Sequence, residues 1–483
     1  MAAALAPAFP ETPVALSGRW HVSGGSELEL PLTRLIAEAG GNVTSGTGVP
    51  SEATQVVLLH GLRALSDPAA ADAAVQAGFQ TLREFGQRHR DDSGRVIVVQ
   101  DTGGDFGLTA DPGPRAVLGA LAGLAKTAAQ EWPAVRVAAI DLGPSLAGVE
   151  ARARALCREI GLGPGTGEVG IDALGWRSSP RLQAVAPAAD SSRPPPEPDR
   201  AWVVSGGARG VTAHCLIALA RRVRLKWAIF GRTPLEEKAS AAVGAARSAA
   251  ELTEVLLGES RARGDKLSPA QLRRQVGAEL AAREVRETCA QLRALGSEVR
   301  YVALDIADRD AVAAAVADVR RAWGPIRGLV HAAGVLADKA LHDQTDAQFA
   351  AVYRTKVDGL RTLLAATAAD PLAELAIFSS VAARAGNAGQ GAYAAANEAL
   401  NKLGQAERHR RGDRCSVHAI NWGPWDGGMV TPALKAHFAG RGIPLIPLAA
   451  GAECFADLLT GGRPVPVECV VGALIEAAGA SCG

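Results

Sequence analysis

Residues 201–212 read AWVVSGGARGVT, a short apolar run that ends at a turn with three glycines. The run predicts a buried β-strand, and residues 213–222 after it predict a helix. Glycines between a strand and a helix let the backbone approach a pyrophosphate, which then lies on the amide groups of the helix. The segment therefore predicts a dinucleotide-binding loop, although Thr212 replaces the last glycine of G-x-x-x-G-x-G. Taken alone, a glycine-rich turn without a ligand is the other interpretation.

Similar apolar runs recur along the chain and alternate with Ala-, Leu- and Arg-rich stretches. They lie at residues 227–230, 300–304, 328–331, 375–379 and 416–421. Strands that alternate with helices are typical of βαβ units around a parallel sheet. The predicted fold class is therefore α/β.

Two short patterns occur twice in the same order. Val22-Ser23-Gly24-Gly25 recurs as Val204-Ser205-Gly206-Gly207, and residues 140–144 (IDLGP) recur as 420–424 (INWGP). This indicates a duplication into two Rossmann-like halves, of which the first is truncated. We expect a structural half over residues 1–185, a Pro-rich linker over 186–199, and a catalytic, doubly wound parallel-sheet half over 200–483. Glu27 follows the glycines of the first half, so that half is expected to bind no nucleotide.

The second half carries a surplus segment, residues 234 to about 286, which is rich in Ala, Glu, Arg and Leu. Ser268 and Pro269 have the residue types of a helix N-cap and first helical position. We predict a helical insert. It is either a solvated helical hairpin packed on the side of the domain or a docking surface for neighbouring parts of an assembly.

The composition excludes several classes of partner. The chain has 51 basic and 50 acidic side chains, which creates no field for nucleic acid or anionic membrane. The seven cysteines are scattered without a Cys-x-x-Cys pair, so neither a metal site nor a disulfide framework is expected. No apolar run is long enough to span a bilayer. A cytoplasmic enzyme is the expectation.

The residues after the next predicted strands indicate which dinucleotide binds. Arg232 lies where an acidic residue would bind a bare ribose 2′-hydroxyl, and Arg209 adds a second cation, so NADPH is expected. Asp305 and Ile306 are placed to bind the adenine. The predicted cofactor-binding residues are Ser205, Gly206, Gly207, Ala208, Arg209, Gly210, Val211, Arg232, Thr233, Asp305, Ile306, Ala332, Ala333 and Gly334.

Four polar residues form a further pattern. Ser380 closes a predicted strand, Tyr393 follows 13 residues later, Asn397 lies at Tyr plus four, and Lys356 precedes Ser380 by 24. A hydride added to a ketone leaves an alkoxide, which needs hydrogen-bond donors and a proton. Tyr393 would donate that proton, and an ammonium nearby would lower the pKa of the phenol. A buried Tyr and Ser satisfied by backbone is the structural alternative.

This set resembles the short-chain dehydrogenase/reductase superfamily, and more closely the ketoreductase domains of polyketide synthases. Asparagine stands at residue 397 where most superfamily members have lysine, and the lysine lies upstream in Lys356-Val357-Asp358-Gly359. Residues 389–397 (GQGAYAAAN) and 421–425 (NWGPW) resemble the same family. The helical insert and residues 425–432 are most similar to the ketoreductases of polyunsaturated-fatty-acid-type iterative synthases.

The resemblance implies roles for these residues. Ser380 would bind the substrate carbonyl, Lys356 the nicotinamide ribose, and Asn397 the lysine or a relay water. The substrate would be a β-ketoacyl thioester on an acyl carrier protein, within a multidomain synthase. Residues expected on the substrate side are Asp338, Trp422, Gly423, Pro424 and Met429.

The resemblance also implies a lid and a product configuration. Residues from Met429 to about 441 would form a mobile lid over the acyl-pantetheine arm, and Trp422 and Trp425 lie below the nicotinamide or are plain core. Leu336-Ala337-Asp338, together with Ala385 in place of a tryptophan, implies the D alcohol. The alternatives are a free-standing reductase of small ketones and a catalytically silent scaffold domain.

Overall fold

The computed structural model of this protein describes residues 1–8, 15–144, 148–162, 167–184, 194–235, 240–264, 267–428, 430, 432–461 and 466–473. Met429 of the predicted substrate side and residues 186–193 of the predicted linker lie outside this set. Within it, no helix is both long enough and apolar enough to cross a membrane.

Strands and helices alternate through most of the described chain. The strands are β1 (Ala2–Pro7), β2 (Gly18–Ser23), β3 (Gly41–Ser45), β4 (Gln55–Gly61), β5 (Gly94–Gln100), β6 (Val135–Leu142), β7 (Glu168–Ile171), β8 (Arg177–Gln183), β9 (Ala201–Ser205), β10 (Lys226–Gly231), β11 (Glu298–Ala303), β12 (Ile326–His331), β13 (Glu374–Ser380), β14 (Ser416–Trp422) and β15 (Glu468–Val471). The α-helices are α1 (Glu29–Glu38), α2 (Pro68–His89), α3 (Ala120–Glu131), α4 (Val149–Leu162), α5 (Gly210–Ala220), α6 (Ala241–Ala245), α7 (Ala249–Ala262), α8 (Pro269–Ala294), α9 (Arg309–Trp323), α10 (Asp346–Tyr353), α11 (Gly359–Ala366), α12 (Val381–Ala385), α13 (Gly391–Arg411), α14 (Pro432–Gly440) and α15 (Leu448–Thr460).

All of these strands form one sheet of 15 strands. Its order is β11-β10-β9-β12-β13-β14-β15-β1-β8-β7-β6-β5-β4-β2-β3. The blocks on either side of β1 and β8 are parallel, whereas β1 runs antiparallel to β15 and β8, and β8 antiparallel to β7. Every residue of β9 is buried, because helices cover both faces of the parallel sheet. The predicted mixed α/β fold is confirmed.

The two parallel blocks repeat one strand order. The order β10-β9-β12-β13-β14-β15 of the second block corresponds to β3-β2-β4-β5-β6-β7 of the first, and the second block adds β11 at its edge. The repeated sequence patterns lie on corresponding strands, β2 with β9 and β6 with β14. No helix lies in residues 46–54 between β3 and β4, whereas α6, α7 and α8 lie between β10 and β11. The residue boundaries of the two halves stay a prediction.

The predicted elements of the second block are present with shifted ends. The strand predicted at 300–304 is Glu298–Ala303, and the helix predicted at 213–222 begins at Gly210, because Arg209 is already the extended N-cap residue. Ser268 caps α8, with Pro269 in the first turn and a reciprocal capping box with Gln271. Since α8 runs on to Ala294, the insert ends inside a helix that also packs on the sheet.

Helix α13 lies between the two blocks, and buried charges hold it there. Glu398 forms ion pairs with Lys402 at 3.3 Å, Arg384 at 3.4 Å and Lys126 of α3 at 3.8 Å. Burial raises the pKa of Glu398, but the three cations outweigh it and lower the pKa to about 2. A Cβ on Gly123 of α3 would lie 2.7 Å from the carbonyl oxygen of Ala394, so the two helices are in close contact.

Candidate active site

A cleft of about 990 Å³ opens at the carboxyl ends of β9, β10, β12, β13 and β14. Parallel α/β sheets bind their ligands at this edge. The cleft brings together most of the predicted site residues, from loops distant in sequence. Those that line it are Gly206, Ala208, Arg209, Gly210, Val211, Arg232, Thr233, Asp305, Ile306, Ala332, Ala333, Gly334, Asp338, Lys356, Ser380, Tyr393, Trp422, Gly423 and Pro424.

Three predicted residues lie behind the wall of the cleft. Ser205 and Asn397 are fully buried, and a Cβ on Gly207 would lie 2.4 Å from a side-chain carbon of Val204. These three residues pack or form hydrogen bonds behind the cleft, and they support the residues that line it.

The glycine loop makes a close approach to the turn after β12. Gly206 has φ +71°, and a Cβ there would lie 2.9 Å from the nitrogen and Cα of Ala333. The Ser205 hydroxyl accepts the backbone N–H groups of Ala332 and Ala333, both at 3.3 Å. Only glycine meets both conditions at residue 206, so the loop has the narrow cradle that a dinucleotide requires.

His331 connects this loop to the lysine. Its Nδ1 lies 2.8 Å from the Ser205 hydroxyl, and its Nε2 lies 2.9 Å from the carbonyl oxygen of Lys356. Burial lowers the pKa of His331 to about 3, so the ring is neutral and carries one proton. A carbonyl only accepts, so Nε2 donates to Lys356 and Nδ1 accepts from Ser205. The sequence pattern identified His331 only as the start of a run of small residues.

Lys356 lies in a π-helical turn, Arg354–Asp358, between α10 and α11. Such turns are frequent at functional sites. Its Nζ donates to the backbone carbonyl of Phe378 at 3.2 Å and lies 5.1 Å from the centroid of the Tyr393 ring. Burial lowers the pKa of Lys356 to about 7. Among the described residues, no carboxylate forms an ion pair with it.

Ser380, Tyr393 and Asn397 meet beside the lysine. Ser380 is the last residue of β13, and its hydroxyl accepts the N–H of Ala382 at 3.2 Å. Asn397 lies one turn after Tyr393 on α13 and donates to the Tyr393 carbonyl at 2.8 Å. Burial raises the pKa of Tyr393, and hydrogen bonding by Asn397 and Ser380 opposes this. The buried Oδ1 of Asn397 has no partner within the described part of the chain and is an acceptor open to a water or an ammonium.

Aromatic rings form another part of the cleft wall. The ring centroids of Trp422 and Trp425 are 4.8 Å apart, and Trp422 contacts Phe378 at 5.7 Å. Both tryptophans belong to a buried apolar cluster and also line the cleft. Both tryptophans are therefore core residues that also line the cleft, and their position below the nicotinamide stays a prediction.

The segment after these tryptophans contacts the glycine loop. Gly428 has φ +63°, and a Cβ there would lie 3.0 Å from a side-chain carbon of Val211. Beyond it α14 carries Leu434 and Phe438, which line the cleft. These residues are in the position predicted for a lid, and their mobility stays a prediction.

Asp338 is tied to the loop that precedes Tyr393. Gln390 donates to its carboxylate at 2.9 Å. Burial raises the pKa of Asp338, and the hydrogen bond from Gln390 opposes this. Asp338 is thereby linked to the loop before Tyr393, and its position on the substrate side stays a prediction.

At the other end of the cleft two of the three predicted charged residues form ion pairs, and their role in cofactor binding stays a prediction. Arg232 is exposed on the cleft wall, and Asp305 forms an ion pair with Arg354 at 3.1 Å. Arg209 pairs with Glu284 of α8 at 2.8 Å, and Glu284 also accepts the N–H of Gly210 at 2.7 Å. Sequence reasoning missed Glu284, which lies 74 residues from Gly210 in a stretch without a recognisable motif.

Comparison with known proteins identifies the family that the chain matches. Residues 201–427 match the KR domain family. The chain is 35% identical over 388 residues to one component of the polyunsaturated fatty acid synthase of Thraustochytrium sp., covering 77% of this chain and 14% of that protein. It is 37% identical over 180 residues to erythronolide synthase EryA2 of Saccharopolyspora erythraea, covering 37% of this chain and 5% of that protein. The chain thus spans only a small part of these multidomain relatives.

Solved structures with the same architecture cover both halves of the chain. An A1-type ketoreductase superposes with a TM-score of 0.73 at 20% identity, covering 98% of this chain and 92% of that one. A ketoreductase domain from the bacillaene assembly line gives a TM-score of 0.68 at 19% identity, with 98% and 97% covered. At these identities the likeness establishes the fold.

Proposed function

Because the chain belongs to the ketoreductase (KR) domain family of polyketide and polyunsaturated fatty acid synthases, we propose that it is an NADPH-dependent β-ketoacyl reductase. Its substrate is a β-ketoacyl thioester on an acyl carrier protein, and its product is the β-hydroxyacyl thioester. The observation that carries the proposal is the meeting of Lys356, Ser380 and Tyr393 in the cleft that the glycine loop also lines.

The side chains supply what a ketone reduction needs besides hydride. Reduced nicotinamide would supply the hydride to the carbonyl carbon. As the electron pair of the C=O bond moves to oxygen, the Ser380 hydroxyl stabilises the developing charge, and the Tyr393 hydroxyl donates its proton to that oxygen. The Lys356 ammonium, 5.1 Å from the Tyr393 ring, stabilises the phenolate that remains. A water on the free Oδ1 of Asn397 would return a proton to it.

The chain's residues fit an NADPH molecule. The Gly206 cradle allows close approach of a pyrophosphate, and a side-chain Cβ would fill it. Arg209 and Arg232 line the adenosine end, where they would pair with a 2′-phosphate. The described residues contain no cluster that could hold a metal ion, and the proposed reaction needs none.

We propose that the first parallel block, within residues 1–185, is structural. The carboxylate of Glu29 accepts the N–H of Gly25 at 2.7 Å, at the turn that corresponds to the cofactor loop. An acidic group at that amide opposes a phosphate. The block also holds α13 through Lys126, so it supports the helix that carries Tyr393.

The partners and product are proposed from the same premise. The carrier protein and the other domains of a multidomain synthase would be the partners, with no nucleic acid and no membrane. We propose the D alcohol as product, since Asp338 is held on the substrate side by Gln390 and residue 385 is alanine. None of the six described cysteines forms a disulfide bond, and we propose a cytoplasmic enzyme.

The test is NADPH oxidation with a β-ketoacyl N-acetylcysteamine thioester, followed by chiral analysis of the product. Tyr393→Phe should lower kcat by about 10²- to 10⁴-fold and leave NADPH affinity unchanged. Tyr353→Phe is the matched control, because the Tyr353 hydroxyl bonds Asp72 away from the cleft. The L alcohol would refute the proposed configuration.

Two other results would change the proposal. Equal turnover of an unlinked small ketone would favour a free-standing reductase, and failure of the parent protein to bind NADPH would favour a silent scaffold domain. Binding without turnover of the thioester calls for the same assay on a carrier protein loaded with the β-ketoacyl group.

A further inference from the structure

Glu284 occupies the end of the cleft where the phosphates of a dinucleotide would bind. We propose that Glu284 is an internal anion that holds the phosphate-binding groups in the cofactor-free enzyme, leaves them when the cofactor binds, and thereby weakens cofactor affinity. This inference rests on the proposed function and makes the helical insert a determinant of that affinity.

The contacts of Glu284 use the groups that a phosphate needs. One carboxylate oxygen accepts the N–H of Gly210 at 2.7 Å, and the other lies 2.8 Å from Nε of Arg209. Gly210 is the first residue of α5, so its N–H is one of the free donors at a helix amino terminus. The Gly210 N–H and the Arg209 guanidinium cannot give all of their hydrogen bonds to the carboxylate and to a phosphate at the same time. A phosphate beside the carboxylate would also meet like-charge repulsion.

The first parallel block contains a similar contact, made by a carboxylate close in sequence. There the N–H of Gly25 donates to Glu29 at 2.7 Å. Glu29 is the first residue of α1, four residues after Gly25, so the carboxylate belongs to the loop's own helix. In the second block the carboxylate comes instead from α8, whose first turns belong to an insert that the first block lacks.

The exposure of the pair shows that Glu284 is able to leave. The side chains of Arg209 and Glu284 are 50% and 44% exposed, and ion pairs so open to water contribute little free energy. Helix α8 itself is anchored by other groups. Arg283 donates to the carbonyl oxygens of Val243 and Ala246, and Val285 is buried in the core. A rotation of the Glu284 side chain is therefore sufficient, and the helix keeps its place.

The experiment compares cofactor affinity of the full chain carrying Glu284→Gln with the parent, using NADPH and NADH in calorimetric titrations. Glutamine keeps an oxygen for the Gly210 N–H but has no charge. The dissociation constant for NADPH should fall about two- to fivefold, because the uncharged glutamine no longer pairs with Arg209 or repels a phosphate beside it. The dissociation constant for NADH should fall less than that for NADPH, because NADH lacks the 2′-phosphate that would pair with Arg209.

Glu287→Gln is the matched control, since Glu287 is exposed one turn later on the same helix and bonds only Gln291 among the described residues. It should leave both dissociation constants unchanged. In turnover assays Glu284→Gln should lower KM for NADPH and keep kcat, a split that a general loss of structure would not produce.

Three results would overturn the inference. Unchanged NADPH affinity in Glu284→Gln would show that the carboxylate does not compete with phosphate. Weaker binding would show that Glu284 is itself a cofactor ligand, as a carboxylate on ribose hydroxyls would be. If neither the parent nor the variant binds NADPH, the proposed function fails, and the inference fails with it.

Discussion

The Nζ atom of Lys356 lies 5.1 Å from the ring centroid of Tyr393, and its hydrogen bond is to the Phe378 carbonyl rather than to a carboxylate. The lysine is 3% exposed, so its charge is desolvated without a counter-ion among the described residues. Desolvation of this charge lowers the stability of the fold, but it places the Lys356 ammonium beside the phenol that would become a phenolate.

Lys356→Met should therefore inactivate the enzyme and stabilise the fold. We expect kcat to fall at least about 10²-fold and the free energy of unfolding at pH 7 to rise by about 1 kcal/mol or more. Urea denaturation and turnover assays measure the two effects. Lys226→Met, at the amino end of β10, is the control and should retain turnover. A destabilised Lys356→Met would mean that the lysine is a structural cation.

The rate should depend on the charge of Lys356. Burial lowers its pKa to about 7, so the ammonium is present below this pH and is lost as the pH rises. If the ammonium is required, kcat falls above about pH 7 with a slope of one proton. In Lys356→Arg the residual rate should show no such decline, because arginine stays charged. A pH profile of kcat at saturating NADPH would show the difference, and a flat parent profile would contradict the role.

Stability should depend on the same group with the opposite sign. The unfolded chain binds a proton on this lysine up to its ordinary pKa of about 10.5, whereas the folded chain releases it near 7. Between these values the unfolded state holds more protons, so the free energy of unfolding rises with pH. Denaturant titrations over this range should show the increase in the parent and lose it in Lys356→Met.

The buried charges on α13 predict a large effect of one truncation. Lys402 is fully buried and pairs with Glu468 at 2.6 Å and Glu398 at 3.3 Å. Lys402→Met leaves two buried carboxylates short of a cation and should cost about 3–5 kcal/mol of unfolding free energy. Arg408→Met, which breaks an exposed pair with Asp413, should cost about 1 kcal/mol or less. If the two variants lost similar amounts of unfolding free energy, Lys402 would not be part of a coupled network.

The glycine cradle predicts a steric effect at residue 206. Gly206→Ala places a Cβ 2.9 Å from the Ala333 backbone at φ +71°, and should destabilise the fold by about 1–3 kcal/mol and abolish tight NADPH binding. Gly324→Ala is the matched control, since Gly324 has φ +83° but no atom within 4 Å of its Cβ position. Gly324→Ala should show only the loss of stability that comes from a positive φ, and it should bind NADPH with normal affinity. Normal binding by Gly206→Ala would contradict the cradle.

Sequence reasoning predicted the parts of the site that depend on local order. The strand, glycine turn and helix at residues 201–220 follow from hydrophobic pattern and glycine chemistry, which act within a few residues. Ser380, Tyr393 and Asn397 were predicted from their order along the chain and from the family resemblance rather than from local propensity. Their element boundaries moved by a few residues, as at Gly210, where the loop enters the helix earlier than the pattern indicated.

The long-range contacts were beyond that reasoning. The hydrogen bonds that join His331 to Ser205 and Lys356 span 126 and 25 residues. A histidine followed by small residues carries no sign of such a link in one sequence. The same holds for Glu284, whose partner Gly210 lies on another element.

By itself the sequence determined the fold class and the glycine turn, because periodicity and glycine conformation are local properties. The four polar residues were predicted from their order along the chain and from the resemblance to a known family, and their roles stay predictions. Only the tertiary structure decided how charges meet: that Lys356 is desolvated without a carboxylate, that Glu398 is shared by three cations, and that Glu284 lies on the amide of Gly210. Burial and ion pairing depend on what packs against a group in space, and the packing partners come from segments far apart in the chain.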